Sequence, residues 1–305
     1  MIAALEAGVT ALLALPRGEQ PAAARALLAA LPAPPAEVWN SAFGADSLYA
    51  AFTRTTVARG VHAANRARLR PLLDARPGFR VVEIGGGNGA LWAGLLRPDD
   101  RGEIVVVDPH PDGAAGVRRA APPGVEVSHV ARPAQDVALP EADAVVASLV
   151  LHHIAGRSAA DRARVGLSGN GKHETLATIR SAIAARGGTA LVNEADIYCD
   201  IGLAPGDPLL AERLIDSYVR RFAVSILSDL RVESDPSVRA RLAAVVRDWS
   251  LGQVALAHAP VEDRDVYELD VLAWLAAFDA AGLTVAARGF TDPWMLFHQY
   301  VLTAR

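Results

Sequence analysis

Four short stretches of the 305-residue chain hold the residues best suited to do chemistry. Glu83 and a run of glycines stand in VVEIGGGNGALWAGLL, residues 81–96, and Asp108 ends the apolar run of IVVVDPHP, residues 104–111. The pair His152 and His153 closes ADAVVASLVLHHI, 142–154, and Glu194 lies near the end of ARGGTALVNEADI, 185–197. A glycine-rich turn brings backbone close to a ligand and aims free N–H groups at it. An acidic side chain at the end of the next strand accepts hydrogen bonds from both hydroxyls of a ribose. A histidine is the side chain best placed to take up a proton near neutral pH, and a neighbouring carboxylate can orient it.

The elements needed to position these groups are legible as apolar runs. RVVEI (80–84), EIVVVD (103–108), VEVSHV (125–130), ADAVVASLV (142–150) and GTALVNEAD (188–196) are rich in Val, Ile and Leu without polar alternation, as parallel strands buried on both faces should be. Helical segments are predicted in the gaps: ALWAGLLR, DGAAGVRRA and HETLATIRSAIAAR. This alternation predicts a doubly wound, Rossmann-like α/β sheet over residues 76–196. Residues 1–75, rich in Ala and Leu and interrupted by Pro16 and by LPAPPAE at 31–37, read as a helical cap. Residues 197–265 read as a helical insert, with Leu210, Leu214, Tyr218 and Phe222 at helical spacing and a second helix at SVRARLAAVVRDW. Residues 266–305 complete the core with the helix VLAWLAAFDAAGL and an antiparallel hairpin, LTVAARGF and WMLFHQYVLTAR, at the sheet edge.

The string GGGNGA also satisfies the dinucleotide pattern, with Gly85, Gly87 and Ala90 in the fingerprint places. Glu83, two residues ahead of the first glycine, would sit poorly beside a pyrophosphate and suits a ligand carrying an ammonium or sulfonium charge. In order and spacing, the four stretches resemble the successive motifs of class I S-adenosylmethionine-dependent methyltransferases over roughly residues 78–196 and the C-terminal hairpin. The resemblance implies that Gly85, Gly86, Gly87, Asn88 and Gly89 form the turn under the methionine part of the cofactor. It implies further that Glu83 holds the cofactor's amino group and that Asp108, with Pro109, holds the ribose. Ala134, Gln135 or Asp136 would cap the adenine, since Pro133 stands where the family usually has an aspartate, and Ser148 and Leu149 would line the methyl group.

LVLHHI is also similar to the stretch of small-molecule O-methyltransferases in which a catalytic histidine follows the fourth strand. His152 falls on that place, while His153 stands where those enzymes usually have aspartate and Ile154 where they have tryptophan. The alternative is that one histidine caps the strand end and the other faces solvent. Glu194 would orient His152, bind substrate, or form a salt bridge at the sheet edge, with Asp196 and Tyr198 next in line. Tyr49, Phe52, Tyr198, Tyr218, Phe222 and Trp249 are the expected walls of a substrate pocket under a helical lid. Arg54 is a possible partner for the cofactor carboxylate, and VGLSGNGKHE, 165–174, is either a gate or a plain loop.

The leading expectation is methyl transfer to a small aromatic or natural-product molecule, at oxygen before nitrogen or carbon. Two other classes stay open: a protein of the same cofactor fold that catalyses a non-methylating reaction or serves as an inactive partner, and a nicotinamide-dependent oxidoreductase. A net charge of −4, with Lys172 the only lysine among 30 basic residues, offers no basic run to track a phosphate backbone. Abundant alanine points to a GC-rich bacterial source. Cys199 is the single cysteine, so no intrachain disulfide forms, no cysteine zinc site is expected, and a cytoplasmic setting fits. MIAALEAGVTALLALP lacks a basic start and carries Glu6, so it reads as an amphipathic helix rather than a leader. Exposed apolar helices there make a homodimer conceivable.

Overall fold

The computed structural model describes residues 2–31, 47–154, 170–203, 207–256, 259 and 268–305. Seven strands form one sheet in the order β3-β2-β1-β4-β5-β7-β6. They are β1 (Phe79–Ile84), β2 (Gly102–Val107), β3 (Val125–Val130), β4 (Ala144–Ser148), β5 (Thr189–Ala195), β6 (Leu283–Phe290) and β7 (Phe297–Ala304). The first five are mutually parallel, and β7 runs antiparallel between β5 and β6. This is the doubly wound architecture that the apolar runs predict. The strand order reverses between β1 and β4, where open α/β sheets bind ligands at the carboxyl ends of their strands. Ile84 pairs with Ala147, so the glycine turn after β1 and the end of β4 flank the same crevice.

Side-chain alternation divides the strands between two layers. Val82, Ile84, Val105, Val145 and Val192 face α6 (Asn170–Ala184) and α11 (Val271–Ala280) through Leu176, Ile179, Trp274 and Phe278. Val81, Ile104, Val106, Val146 and Leu191 face α4 (Thr56–Ala75) through Leu69 and Leu73, together with Trp92 and with Val117 of α5 (Ala115–Ala120). Glu83 shares the parity of Val81, which sends it to the Trp92 side.

The remaining helices form a third apolar body. It joins α1 (Ile2–Ala14), α2 (Gln20–Ala30), α3 (Leu48–Phe52) and the start of α4 to α7 (Pro208–Arg213), α8 (Arg220–Val232), α9 (Pro236–Val245) and α10 (Gly252–Leu256). The helices of 1–75 and of 197–265 therefore share one core. Helix α4 spans both bodies, with Val57 and Val61 in the helical core and Leu69 and Leu73 on the sheet. A π-helical turn, Leu214–Val219, joins α7 to α8, and a second, Val246–Leu251, joins α9 to α10. No helix among the described residues is long and apolar enough to cross a membrane.

Three expectations are corrected. ALWAGLLR is not helical: Gly89 and Gly94 have φ of +77° and +79°, and the amides of Trp92 and Leu95 bond to carbonyls three residues back, giving a chain of turns. β3 is an edge strand with only Val125 fully buried, because nothing pairs its outer side. Of the stretch 165–174, residues 165–169 lie outside the described residues and Asn170 already begins α6.

The glycine turn is packed against α5 with no room for a side chain. A Cβ on Gly116 would lie 2.1 Å from the Asn88 carbonyl carbon, and one on Gly89 2.3 Å from that of Gly116. Replacing a helical glycine by alanine ordinarily stabilises by roughly 0.5–1 kcal/mol. Here Gly116→Ala has to displace backbone, at about 1–3 kcal/mol. The expected result is a net loss, seen as a lower thermal midpoint together with weaker cofactor binding.

Candidate active site

At the end of β1 the turn follows from glycine's freedom. Gly85, Gly87 and Gly89 have φ of +75°, +53° and +77°, the left-handed region that side chains disfavour. Arg66 of α4 donates to the carbonyls of Leu91 (2.8 Å) and Ala90, and the Asn88 amide donates to Thr53 Oγ1 (3.1 Å). The turn is thus held from the sheet and from the helical body together. A Cβ on Gly85 would meet Val150 at 2.9 Å, and one on Gly87 would meet the Tyr49 hydroxyl at 2.8 Å.

Two acids face this turn. Glu83 is buried and accepts a 2.6 Å hydrogen bond from Trp92 Nε1, yet burial pushes its carboxyl up to about 8 and the nearby Asp108 adds to the rise. Asp108, also buried, accepts from the His110 amide at 2.8 Å, and its backbone carbonyl meets His129 Nε2 at 2.9 Å. The Tyr49 phenol lies close enough to both acids that their charges, added to its burial, raise it. Glu83 is thus a buried acid whose bonded partner, the Trp92 indole, is neutral. A cationic ligand would supply the missing counter-charge.

Elsewhere around the crevice, Ala134–Asp136 form a single 3₁₀ turn after β3, with Ala134 buried and Pro133, Gln135 and Asp136 half-buried. Pro109 is exposed. Ser148 ends β4 inside a polar chain: it accepts from Asn65 Nδ2 (2.8 Å) and donates to Asn193 Oδ1 (3.1 Å), while Gln299 donates to Asn65 (2.7 Å). Leu149 follows with φ of +54°, a strained value for a side-chain-bearing residue, and it lines the adjacent cavity.

That cavity measures about 360 Å³ and lies between the end of β4 and the helical body. Tyr49, Phe52, Tyr218, Phe222 and Trp249 form its walls, with Phe297 of β7. Tyr218 and Trp249 sit on the two π-helical turns, which shift a helix's faces out of their 3.6-residue register and recur at functional sites.

His152 and His153 stand at the rim in a 3₁₀ turn, Leu151–His153, with ring centroids 4.2 Å apart. Glu194, on neighbouring β5 and 1% exposed, bonds to both sides of that turn. Its Oε1 accepts from the Leu151 amide and its Oε2 meets His152 Nδ1, each at 2.7 Å. Since a carboxylate only accepts, Nδ1 carries the hydrogen, and Nε2 is the nitrogen left to act as a base. Burial lowers the His152 imidazole, but Glu194 and Glu268 outweigh it and the net shift is upward. Lys172 is buried behind the pair, donates to the Ile154 carbonyl at 3.1 Å and is lowered to about 8 by burial.

Several residues fall elsewhere than expected. Tyr198 is half exposed, packs on Phe290 and lies under the Arg221 guanidinium, outside the cavity. Arg54 pairs with Glu233 at the surface at 3.4 Å. Asp196 is buried at the sheet end, 3.0 Å from His298 Nδ1 and with its carbonyl held by Arg221. Asp248, Gln253, Glu268 and Phe297 line the cavity without having been singled out in the sequence. Being the only lysine was a signal for Lys172; Asp248 and Glu268 carried none, because a π turn and an irregular segment set their direction, and Gln253 and Phe297 reach the cavity only through tertiary packing.

Among known families, residues 82–168 match the methyltransferase domain. Residues 82–168 thus carry a methyltransferase domain. The match covers the glycine turn, Asp108 and the histidine pair, and it sets aside the nicotinamide alternative. No curated protein matches the chain. Among solved structures, the pyocyanin biosynthetic protein PhzM aligns at 17% identity over 80% of this chain and 56% of its own, with a TM-score of 0.43. The chain thus spans little more than half of PhzM's length. The N-methyltransferase NodS from Bradyrhizobium japonicum WM9 aligns at 12% identity over 88% of this chain and 97% of its own, with a TM-score of 0.48. Magnesium protoporphyrin IX methyltransferase from Synechocystis PCC 6803 aligns at 10% over 82% and 85%, with a TM-score of 0.45.

Proposed function

We propose that the protein transfers the methyl group of S-adenosylmethionine to a hydroxyl oxygen of a small, largely aromatic molecule held in the 360 Å³ cavity. The observation that carries this reading is the 2.7 Å bond between His152 Nδ1 and Glu194 at the rim of that cavity, beside the end of β4. Bound, the cofactor supplies an electrophilic methyl carbon with a good leaving group. The chain has to hold the cofactor, place the acceptor oxygen in line and remove its proton. Gly85 to Gly89 cradle the methionine part, with Glu83 toward its ammonium. Asp108 and Pro109 take the ribose side, and Ala134 and Gln135 the adenine. Ser148 and Leu149, joined by Tyr49, border the methyl group. His152 receives the hydroxyl proton at Nε2 while Glu194 fixes its tautomer and stabilises the imidazolium. The helices of 1–75 and 197–265 cover the cavity and keep water out.

Glu194→Gln tests the pairing. Because Glu194 raises His152, its loss moves the acid limb of the pH–kcat profile to lower pH. A glutamine also turns one N–H toward a donor, so kcat falls roughly ten- to hundredfold, the usual effect of losing a partner that orients a functional histidine. An unchanged acid limb in a stopped-flow or radiolabel pH series would detach Glu194 from the base.

A further inference from the structure

The cavity combines aromatic rings with acids, and none of its described lining residues is Arg or Lys. Phe52 meets Trp249 edge-on at 5.2 Å, and Tyr218 lies 5.7 Å from Phe222 and 6.0 Å from Phe297. Asp248 and Glu268 share this lining. Asp248 Oδ1 bonds to Arg247, but its Oδ2 is buried without a hydrogen-bond partner. At the His152 end, Glu194 and Glu268 both act on Lys172 and on the imidazole. Two acids face one ammonium at that end, and burial raises the Glu268 carboxyl as it does that of Asp248, a shift that a cation seated beside them would reverse.

We propose that the methyl acceptor carries a protonated amine or other cationic nitrogen besides its hydroxyl, seated among these aromatic faces with Asp248 and Glu268 as its counter-charges. This rests on reading the cavity as the acceptor site. A cation over an aromatic face is attracted by the ring quadrupole, and the attraction grows as water is removed. An anionic acceptor meets the opposite situation: a buried charge facing carboxylates with no described cation on the wall, which is strongly unfavourable. The cation also offsets the Glu268 charge beside His152, favouring the neutral imidazole that accepts the proton.

The test is calorimetric binding to the protein saturated with S-adenosylhomocysteine, at pH 7, of three phenols of similar size: 4-hydroxyphenethylamine, 4-ethylphenol and 3-(4-hydroxyphenyl)propionate. The expected order is amine tightest, by about tenfold over the neutral phenol, and propionate weakest. In Glu268→Gln and Asp248→Asn the ratio of amine to neutral affinity falls severalfold, with S-adenosylhomocysteine binding confirming that each variant is folded. Propionate binding as tightly as the amine, or an amine preference undiminished in both variants, overturns the proposal. No turnover is required, so failure of His152 as a base leaves this ranking intact, and the ranking can fail while O-methylation stands.

Discussion

His152→Ala lowers kcat by about 10²–10⁴-fold, the usual contribution of a positioned general base, while S-adenosylmethionine binds with nearly unchanged affinity. The loss corresponds to about 3–5 kcal/mol of transition-state stabilisation. It follows from what the ring touches. Nδ1 is committed to a carboxylate that is 1% exposed and bonded a second time to the Leu151 amide, so the ring is fixed at the cavity rim. A hydroxyl acceptor cannot shed its proton to bulk water from a cavity covered by helices, and the imidazole that Glu194 fixes at the rim is the group placed to take it. His153→Ala, by contrast, removes an exposed ring tilted against His152, and its effect stays well below that of His152→Ala. Single-turnover kinetics check both, paired with calorimetric cofactor titration. If His152→Ala retains wild-type kcat, the acceptor atom needs no base and oxygen is the wrong assignment.

The second large effect concerns Glu83. Its carboxyl is raised by burial to about 8, so between pH 5.5 and 7.5 the cofactor-free protein holds it mostly protonated. A cofactor with ammonium and sulfonium charges favours the ionised form, and binding therefore releases a proton. The sign follows: affinity strengthens as pH rises through this window, approaching tenfold per unit, and levels off once Glu83 is ionised without help. For the free protein the raised value works the other way. Its contribution to stability is complete below the ordinary value of 4.5 and fades as pH climbs toward about 8, so the thermal gain on adding cofactor is larger at pH 7.5 than at 5.5. Glu83→Gln removes the charge. Affinity drops by roughly 10²-fold or more at pH 7.5, given about 4 kcal/mol for charges near 4 Å apart at an effective dielectric of 20. The drop is smaller at pH 5.5, and the pH slope disappears. Titration in two buffers of different ionisation enthalpy reads the released proton directly; no release in the wild type would place the cofactor's charge away from Glu83.

Much of the scaffold is legible in the residues. β-branched runs separated by helical periods yield parallel strands because such strands are buried on both faces, and the five parallel strands occur where those runs lie. The glycine turn is legible because no other residue type tolerates three left-handed positions in five. Glu83 and Asp108 are legible as acids at strand ends. The same local logic misjudges ALWAGLLR, whose apolar spacing is helical but whose Gly94 takes a left-handed conformation. It also cannot tell that β3 lies at an edge, since strand order depends on contacts between segments far apart in the chain.

The sequence by itself determined the class of sheet, the turn and the acids that flank it, because these depend on backbone conformation and burial within a few neighbouring residues. Only the tertiary structure decided the rest. The bond between His152 and Glu194 joins residues 42 positions apart, brought together because β4 and β5 are adjacent and in register. The cavity wall takes Tyr49 from one helical segment and Tyr218, Asp248 and Trp249 from another, and two π turns set where the last three point. Lys172, on the helix before β5, and Glu268, just ahead of α11, act on the same histidine from segments far apart in the chain. A periodicity of 3.6 carries no information about a turn that departs from it, and local sequence carries none about which buried charges share a low-dielectric site; both are settled when the helical body packs over the sheet.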